Sequence, residues 1–463
     1  MNTHGMNRRA FVKGAAAMAA GVTILPRHVL GGPGFIAPSD TVNVAAVGAG
    51  GMGASNMNAL RSQNIVAIAD VDFEHVAQSF VGRDGSTRDN RRELKEAYDK
   101  AARFTDWRRM LDEVPDIDAV VVATPDHNHA IVANTAMTMG KHVYVQKPLT
   151  WSVAEARTLQ KTAGETGVVT QMGNQGHSGD EGRRVIDLVR GGAIGPVHEV
   201  HVWTNRPLGY WPQAIPRPTE IVAAPAEINW DVWIGPAPYV EYHPAYHPFA
   251  WRGWVDYGVG ALGDMGAHLI DHAYWALELG YPTKIWGTST PFGGVDDEQA
   301  SWPAGNVVYY EYAGEGGEPV HLTWYDGGLL PGRPAMLPDD VELNRGGGAI
   351  LVGDIGILIY DTYGNNPRIY PEEVEETSRS IAEAVPRVEA PSHEMNWINA
   401  ILGTEEVSSP FSYAAPLTEN MLLGTTAVRA GKVLQYDADN MRFPNAPDAE
   451  RYLGRDYREG WKL

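Results

Sequence analysis

Thr41 to Val47 (TVNVAAV) runs without a break into Gly48-Ala49-Gly50-Gly51-Met52-Gly53. The first segment has the apolar, valine-rich content of a buried parallel strand. The second is G-x-G-x-x-G, and Ala54 to Arg61 behind it suits a helix. Strand, glycine turn and helix in that order leave few folds open. Gly48 permits the tight turn, Gly50 lets backbone approach a pyrophosphate, and Gly53 lets the helix pack close to the strand. Gly51 and Met52 lie in the same loop, where free N–H groups at the helix N-terminus favour an anion. The motif is weak by itself in a chain with 51 glycines, so its surroundings must carry it.

They do. Ile65 to Ala69 (IVAIA) predicts a second strand ending in Asp70. A carboxylate there accepts hydrogen bonds from ribose hydroxyls and repels a ribose phosphate, which favours NAD over NADP. The competing reading is a strand-end turn residue. Thr105 to Val114 predicts an amphipathic helix, Ile117 to Ala123 a strand, Ala130 to Met139 a helix, and His142 to Val145 and Gly167 to Thr170 two more strands. The alternation predicts a Rossmann, doubly wound parallel sheet over residues 40–170. The charged stretch Gly82 to Arg103 reads as an insertion or a long surface helix.

Ligands of open α/β sheets bind beyond the carboxyl ends of the strands. Thr124-Pro125-Asp126-His127-Asn128-His129 and Gln146-Lys147-Pro148 fall there. Lys147 precedes a proline, so its backbone is held extended. A lysine at that place can hydrogen-bond a substrate hydroxyl and polarise a developing carbonyl; the alternative is a solvated strand-end lysine. For His127 and His129, turn capping competes with ligand contact.

The glycine loop, Asp70, the A-T-P-x-x-x-H segment and the x-K-P step resemble the Gfo/Idh/MocA oxidoreductases, over most of the chain after residue 40. The resemblance implies a bound NAD, with Gly48, Gly50, Gly51, Met52, Gly53, Asp70, Thr124, Pro125, His129, Gln146 and Lys147 as cofactor contacts. The usual family step is Glu-Lys-Pro; Gln146 here removes a negative charge beside Lys147.

Over residues 171–435 the pattern changes. Val197 to Trp203 alternates like a strand, and Lys284 to Ser289, Val307 to Ala313, Val320 to Tyr325, Ala349 to Val352 and Ile357 to Tyr360 follow with few helices between. This predicts a mostly antiparallel α+β domain, with one sheet face free for a partner subunit. Within it lies Gly260 to His272, where Asp264 and His268 are four apart and share a helix face. The D-x-x-x-H spacing resembles the inositol dehydrogenase branch of the family, which makes Lys147, Asp264 and His268 a catalytic trio. His268 takes the hydroxyl proton and Asp264 orients substrate. A structural histidine is the plain alternative. Zinc at His268 and His272 is another, but Leu269 stands where the H-E-x-x-H signature needs Glu, so no metal is expected. Arg183, Arg252 and His272 are candidate substrate contacts. The aromatics from His243 to Trp254 suit either sugar stacking or loop packing. Ser392 to Ile401 and Leu417 to Leu434 predict helices, and residues 436–463 a tail.

The chain has 463 residues, room for two domains, and a formal charge of −20, which argues against phosphate-backbone binding, so no nucleic-acid partner is expected. It has no cysteine, so disulfides, thiolate metal sites and a cysteine nucleophile are excluded. Arg8-Arg9-Ala10-Phe11-Val12-Lys13, followed by a mild apolar run to Pro26, predicts a twin-arginine signal over residues 1–31. The expected partner is the twin-arginine export machinery, and the expected location periplasmic or extracytoplasmic, with an uncleaved signal able to tether the chain. The expected function is oxidation of a CH–OH group of a sugar, polyol or glycoside with tightly bound NAD, or redox-neutral glycoside cleavage through a transient keto-sugar. A non-catalytic sugar-binding protein is the third reading; the intact glycine loop, Lys147 and His268 argue against it.

Overall fold

The computed structural model describes residues 41–463 apart from 83, 84, 87, 297, 315 and 316. The signal expected over residues 1–31 lies outside the described residues. Six strands pair in parallel: β1 Asn43–Val47, β2 Asn64–Ala69, β3 Ala102–Phe104, β4 Ala119–Val122, β5 His142–Val145 and β6 Thr170–Met172, in the order β3-β2-β1-β4-β5-β6. β1 and β4 are apolar runs because helices cover both sheet faces. Val47 stands level with Ala69 and Val122. That register brings Gly48, Asp70, Ala123 and Gln146 to one edge of the sheet, at the switch between β1 and β4 where the strand order reverses.

The departures from expectation have local causes. The charged stretch contains the helix Arg92–Lys100 and then β3, a three-residue edge strand too short to carry a pattern. Gly167 is the left-handed C-cap of the helix Val153–Thr166, so the next strand starts only at Thr170. The helix expected from Ala130 begins at Asp126, which puts His127 and His129 on a helix and not in a turn.

The second sheet holds β7 Val197–Thr204, β8 Lys284–Ser289, β9 Asn306–Tyr312, β10 Val320–Tyr325, β11 Gly347–Gly353, β12 Ile357–Asp361, β13 Arg368–Tyr370 and β14 Leu434–Gln435. Its order is β13-β12-β11-β7-β10-β9-β8-β14. All neighbours are antiparallel except β7 and β10, which run parallel. β13 and β14 were too short to foresee. The helix Gly260–Leu269 carries Asp264 and His268, and a second helix, Asp271–Ala276, follows it.

The long helix Phe411–Ala430 starts six residues before the expected Leu417, with Pro416 accommodated inside it, and ends at Gly431 in the left-handed region. It packs on the helix Val153–Thr166, on Gly260–Leu269 and on β8 and β9, and so touches both layers. One continuous hydrophobic core runs from Ala45 and Val122 through Leu262 and Tyr310 to Leu453 and Trp461. The last residues return to the parallel sheet. Arg455 pairs with buried Glu155 at 2.9 Å, and Trp461 packs against Trp107. No helix among the described residues is long and apolar enough to cross a membrane.

Candidate active site

Gly48 has φ +81, and a Cβ there would lie 2.5 Å from the Ala123 carbonyl oxygen. A Cβ on Gly53 would lie 1.8 Å from the Gly48 carbonyl oxygen, so neither position admits a side chain without movement. Asp70 braces this loop. Its Oδ2 accepts the N–H of Ala49 at 2.8 Å and of Gly50 at 3.2 Å, while Oδ1 accepts the Asp72 N–H at 3.0 Å. Burial pushes the carboxyl above its ordinary value, against the pull of those donors. The carboxylate thus shapes the turn from beneath as well as facing the cavity. Asp70→Ser is therefore expected to weaken NAD binding by about tenfold to a hundredfold, for a charge-assisted contact of about 1–3 kcal/mol, and to narrow the preference over NADP. Titration with both nucleotides checks it, and unchanged NAD affinity would remove Asp70 from the site.

A cavity of about 400 Å³ opens from this loop. One wall holds Gly48, Gly50, Gly51, Met52, Asp70, Thr124, Pro125, His129, Gln146 and Lys147; the facing wall holds Trp233, His247, Phe249, Trp251 and Arg252. Gly53 lies behind the loop and acts through helix packing. Two buried polar atoms of the first wall, Thr124 Oγ1 and Gln146 Oε1, have no hydrogen-bond partner. The glycine cradle, Asp70 and these two unpaired atoms fit a dinucleotide. Gln146 gives its other end to Asn56 Oδ1 at 2.9 Å, and Asn56 in turn donates to Glu394 at 2.7 Å. His129 Nδ1 lies 2.8 Å from the Pro148 carbonyl oxygen and Nε2 2.8 Å from that of Thr124, and the ring sits between the two strand-end segments, donating its one N–H to one of them. Burial lowers its pKa to about 4, so it stays neutral.

At the end of the first wall, Lys147 Nζ donates to Asp264 Oδ1 at 2.8 Å and to the Asp264 carbonyl at 2.9 Å. Arg252 Nε lies 3.4 Å from Oδ1 and Arg206 Nε 3.6 Å from Oδ2. Burial alone would raise the Asp264 carboxyl, but Lys147, Arg252 and Arg206 outweigh it and hold it well below the carboxylate range. His268 sits one turn along the same helix, as the spacing predicted. It is buried, edge-on to Tyr363 at 4.7 Å, and its Nδ1 has no partner. Burial and then the Lys147 charge lower its pKa to about 3, so the ring is neutral.

Two residues escaped the sequence reading. Asp126 lines the cavity, and its Oδ2 accepts the N–H of Val259, the residue capping the helix that carries Asp264. Burial pushes its carboxyl up to about 7. Arg206 carries no motif at all. Asp264, His268 and Arg206 are not themselves part of the cavity lining; Asp264 meets it through Lys147 and Arg252. Arg183 and His272, expected to touch substrate, also stand apart from the cavity wall. Arg183 donates to the carbonyls of His177 and Pro386 and packs on Trp275, and His272 contacts the Gly176 carbonyl at 3.3 Å. Both belong to a buried network around Asp271, whose carboxylate meets Asn174, His177 and Tyr413. The aromatic segment packs partly on itself, Tyr246 standing edge-on to Trp254 at 4.9 Å, while Arg252 lies over Trp251 at 4.1 Å. Among the described residues no three His, Asp or Glu side chains are arranged to hold a metal.

A model described as the oxidoreductase family's NAD-binding Rossmann fold matches residues 42–174, and one described as its C-terminal alpha/beta domain matches residues 188–284. The chain belongs to the Gfo/Idh/MocA oxidoreductase family. Its parallel sheet is the family's NAD-binding domain, and NAD is the cofactor. Among relatives, a Glycosyl hydrolase family 109 protein of Shewanella pealeana is 29% identical over 212 residues, 41% of this chain and 44% of that protein. The Alpha-N-acetylgalactosaminidase of Shewanella oneidensis is 29% identical over 214 residues, 42% of this chain and 44% of its own length. The chain thus spans under half the length of the curated relatives it matches. The WlbA dehydrogenase of Bordetella pertussis, solved with NADH and UDP-GlcNAcA, has TM-score 0.56 at 17% identity, over 86% of this chain and 100% of that one. It shares the fold of this Gfo/Idh/MocA chain.

Proposed function

We propose that this enzyme acts on a CH–OH group of a sugar, polyol or glycoside. The observation that carries the reading is the meeting of Lys147, from the end of β5, with Asp264 at 2.8 Å, beside a neutral His268 one turn away. When bound, NAD supplies the hydride sink at the carbinol carbon, and the hydride source if the same molecule is reduced again. Lys147 is the donor available to the substrate oxygen. Asp264 orients it and offsets its charge. His268 enters as a neutral acceptor with a free Nδ1, the form that can take a hydroxyl proton. The burial and the Lys147 charge that keep it neutral also oppose holding that proton, so the ring passes it on.

A second reading is redox-neutral glycoside cleavage. A transient ketone acidifies the neighbouring C–H bond, and loss of that proton expels the glycosidic oxygen. The names of the two Shewanella relatives support it. So does the proposed export, because the space outside the cytoplasm keeps no NAD pool and a cofactor that stays bound must be restored in place. The deciding experiment begins with the nucleotide that co-purifies with the folded protein, then offers a panel of p-nitrophenyl glycosides. Nitrophenol release without net NADH supports cleavage, and NADH accumulation supports a dehydrogenase. Neither signal from NAD-loaded protein, across sugars and polyols, sinks both.

Export by the twin-arginine machinery rests on Arg8 and Arg9. The Arg8→Lys, Arg9→Lys double variant is expected to strand the precursor in the cytoplasm, as cell fractionation would detect; undiminished export defeats the reading. The second sheet, where half-buried Trp286 stacks on Tyr309, is the proposed face for a second copy of the chain, testable by solution mass.

A further inference from the structure

Asp264 is a carboxylate held firmly ionised beside two residues of the cavity wall, Lys147 and Arg252, and three cations surround it. Lys147 and Arg252 share its Oδ1, and Arg206 faces its Oδ2. The other carboxyl close by, Asp126, is spent on the Val259 N–H and held near half-protonated at neutral pH by burial. His129 and His268 are neutral. The local balance is therefore positive, in a chain with 57 Asp and Glu against 37 Lys and Arg.

The two arginines are also incompletely bonded. Arg206 lies over the Tyr210 ring at 3.3 Å and donates through one Nη to Asn205 at 2.8 Å. Its Nε is buried without a hydrogen-bond partner, since Asp264 Oδ2 at 3.6 Å is too far for one. Arg252 is stacked on Trp251 and makes only long contacts, 3.4 Å each, to Asp264 and the Phe249 carbonyl. Partly buried guanidinium groups, fixed in plane by stacking and short of acceptors, are costly unless an anion joins them. Their fork suits a planar or tetrahedral oxyanion.

We propose that the sugar taken by this site bears an anionic substituent, a carboxylate or a sulfate ester, received by Arg206 and Arg252. The inference deepens the sugar reading above and rests on it, and its test is by binding, which is independent of turnover. The NAD-loaded full chain is titrated calorimetrically with methyl glucuronides and galacturonides of both anomers, with the neutral methyl glucosides and galactosides, and with sulfate esters of the latter. The uronides or the sulfates should bind at least about tenfold tighter than their neutral parents, with the margin shrinking as salt rises; which series wins identifies the anion. Arg206→Gln should abolish that margin with unchanged NAD affinity and Tm, and Arg206→Lys should restore part of it. Equal or tighter binding of the neutral sugars, a margin that survives Arg206→Gln, or no binding in any series would overturn the proposal. A uronide that binds tightly but is neither oxidised nor cleaved would leave the substrate class standing and defeat the reaction; turnover of neutral glycosides alone would do the reverse.

Discussion

Alanine at His268 or at Lys147 is expected to lower turnover by about 10²–10⁴ each, with folding and NAD content preserved. In the proposed reaction the two side chains, which come from different layers, act on one substrate oxygen, Lys147 as donor and His268 as proton acceptor. Their combined loss should therefore cost less than the product of the single losses. The fold should survive because Asp264, deprived of Lys147, keeps Arg206 and Arg252 beside it. His272→Ala is the control. It disturbs the network around Asp271 and leaves the cavity wall intact, so it should cost stability more than rate. Single-turnover rates with the nucleotide content of each variant decide the matter. Near-normal turnover in His268→Ala would exclude it as the base.

Acidification should be the strongest perturbation of stability. Burial lowers the pKa of His127 to about 3, His129 to about 4, His268 to about 3 and His393 to about 4, all from 6.5. Each stays neutral in the folded chain and takes a proton near 6.5 when unfolded. The unfolded chain then binds more protons, and stability falls as pH drops below 6.5 and toward 4. At about 1.4 kcal/mol per pH unit per group, the four together lose on the order of 5 kcal/mol between about pH 7.5 and pH 5.5. Asp126 and Asp326 act in the other direction, because burial raises them to about 7 and about 6 and the folded chain binds their protons more tightly. They return roughly 2–3 kcal/mol over the same window, leaving a net loss of about 3 kcal/mol. Denaturant midpoints at the two pH values measure it, and equal stability at both would contradict the burial of these rings.

What the sequence made legible is what local spacing encodes. The glycine loop, the strand ends carrying Asp70 and Lys147, and the shared face of Asp264 and His268 each depend on residues within a few positions of one another. Asp126 and Arg206 stayed hidden because their meaning depends on partners far along the chain, Val259 and Asp264. Arg183 misled for the opposite reason. An arginine in sequence suggests a free charge, and here carbonyl oxygens and the Trp275 ring occupy it. The helix starting at Asp126 lacked an apolar period in its first turn because its polar side chains are buried and bonded, so composition resembled a loop. The missed strands β3, β13 and β14 are two or three residues long, too short to show alternation.

The return of Arg455 and Trp461 to the parallel sheet also sets the order in which the chain can finish folding. The sheet's strands are complete by Met172, yet Glu155 awaits Arg455, 300 residues downstream, and Trp107 awaits Trp461, more than three hundred residues downstream. A chain emerging from the ribosome therefore carries its nucleotide-binding half for most of its synthesis with the Glu155 carboxylate lacking its cation and the Trp107 indole lacking its cover. Closure of such distant contacts is slow, so the unfinished half presents a chaperone target until the last residues arrive.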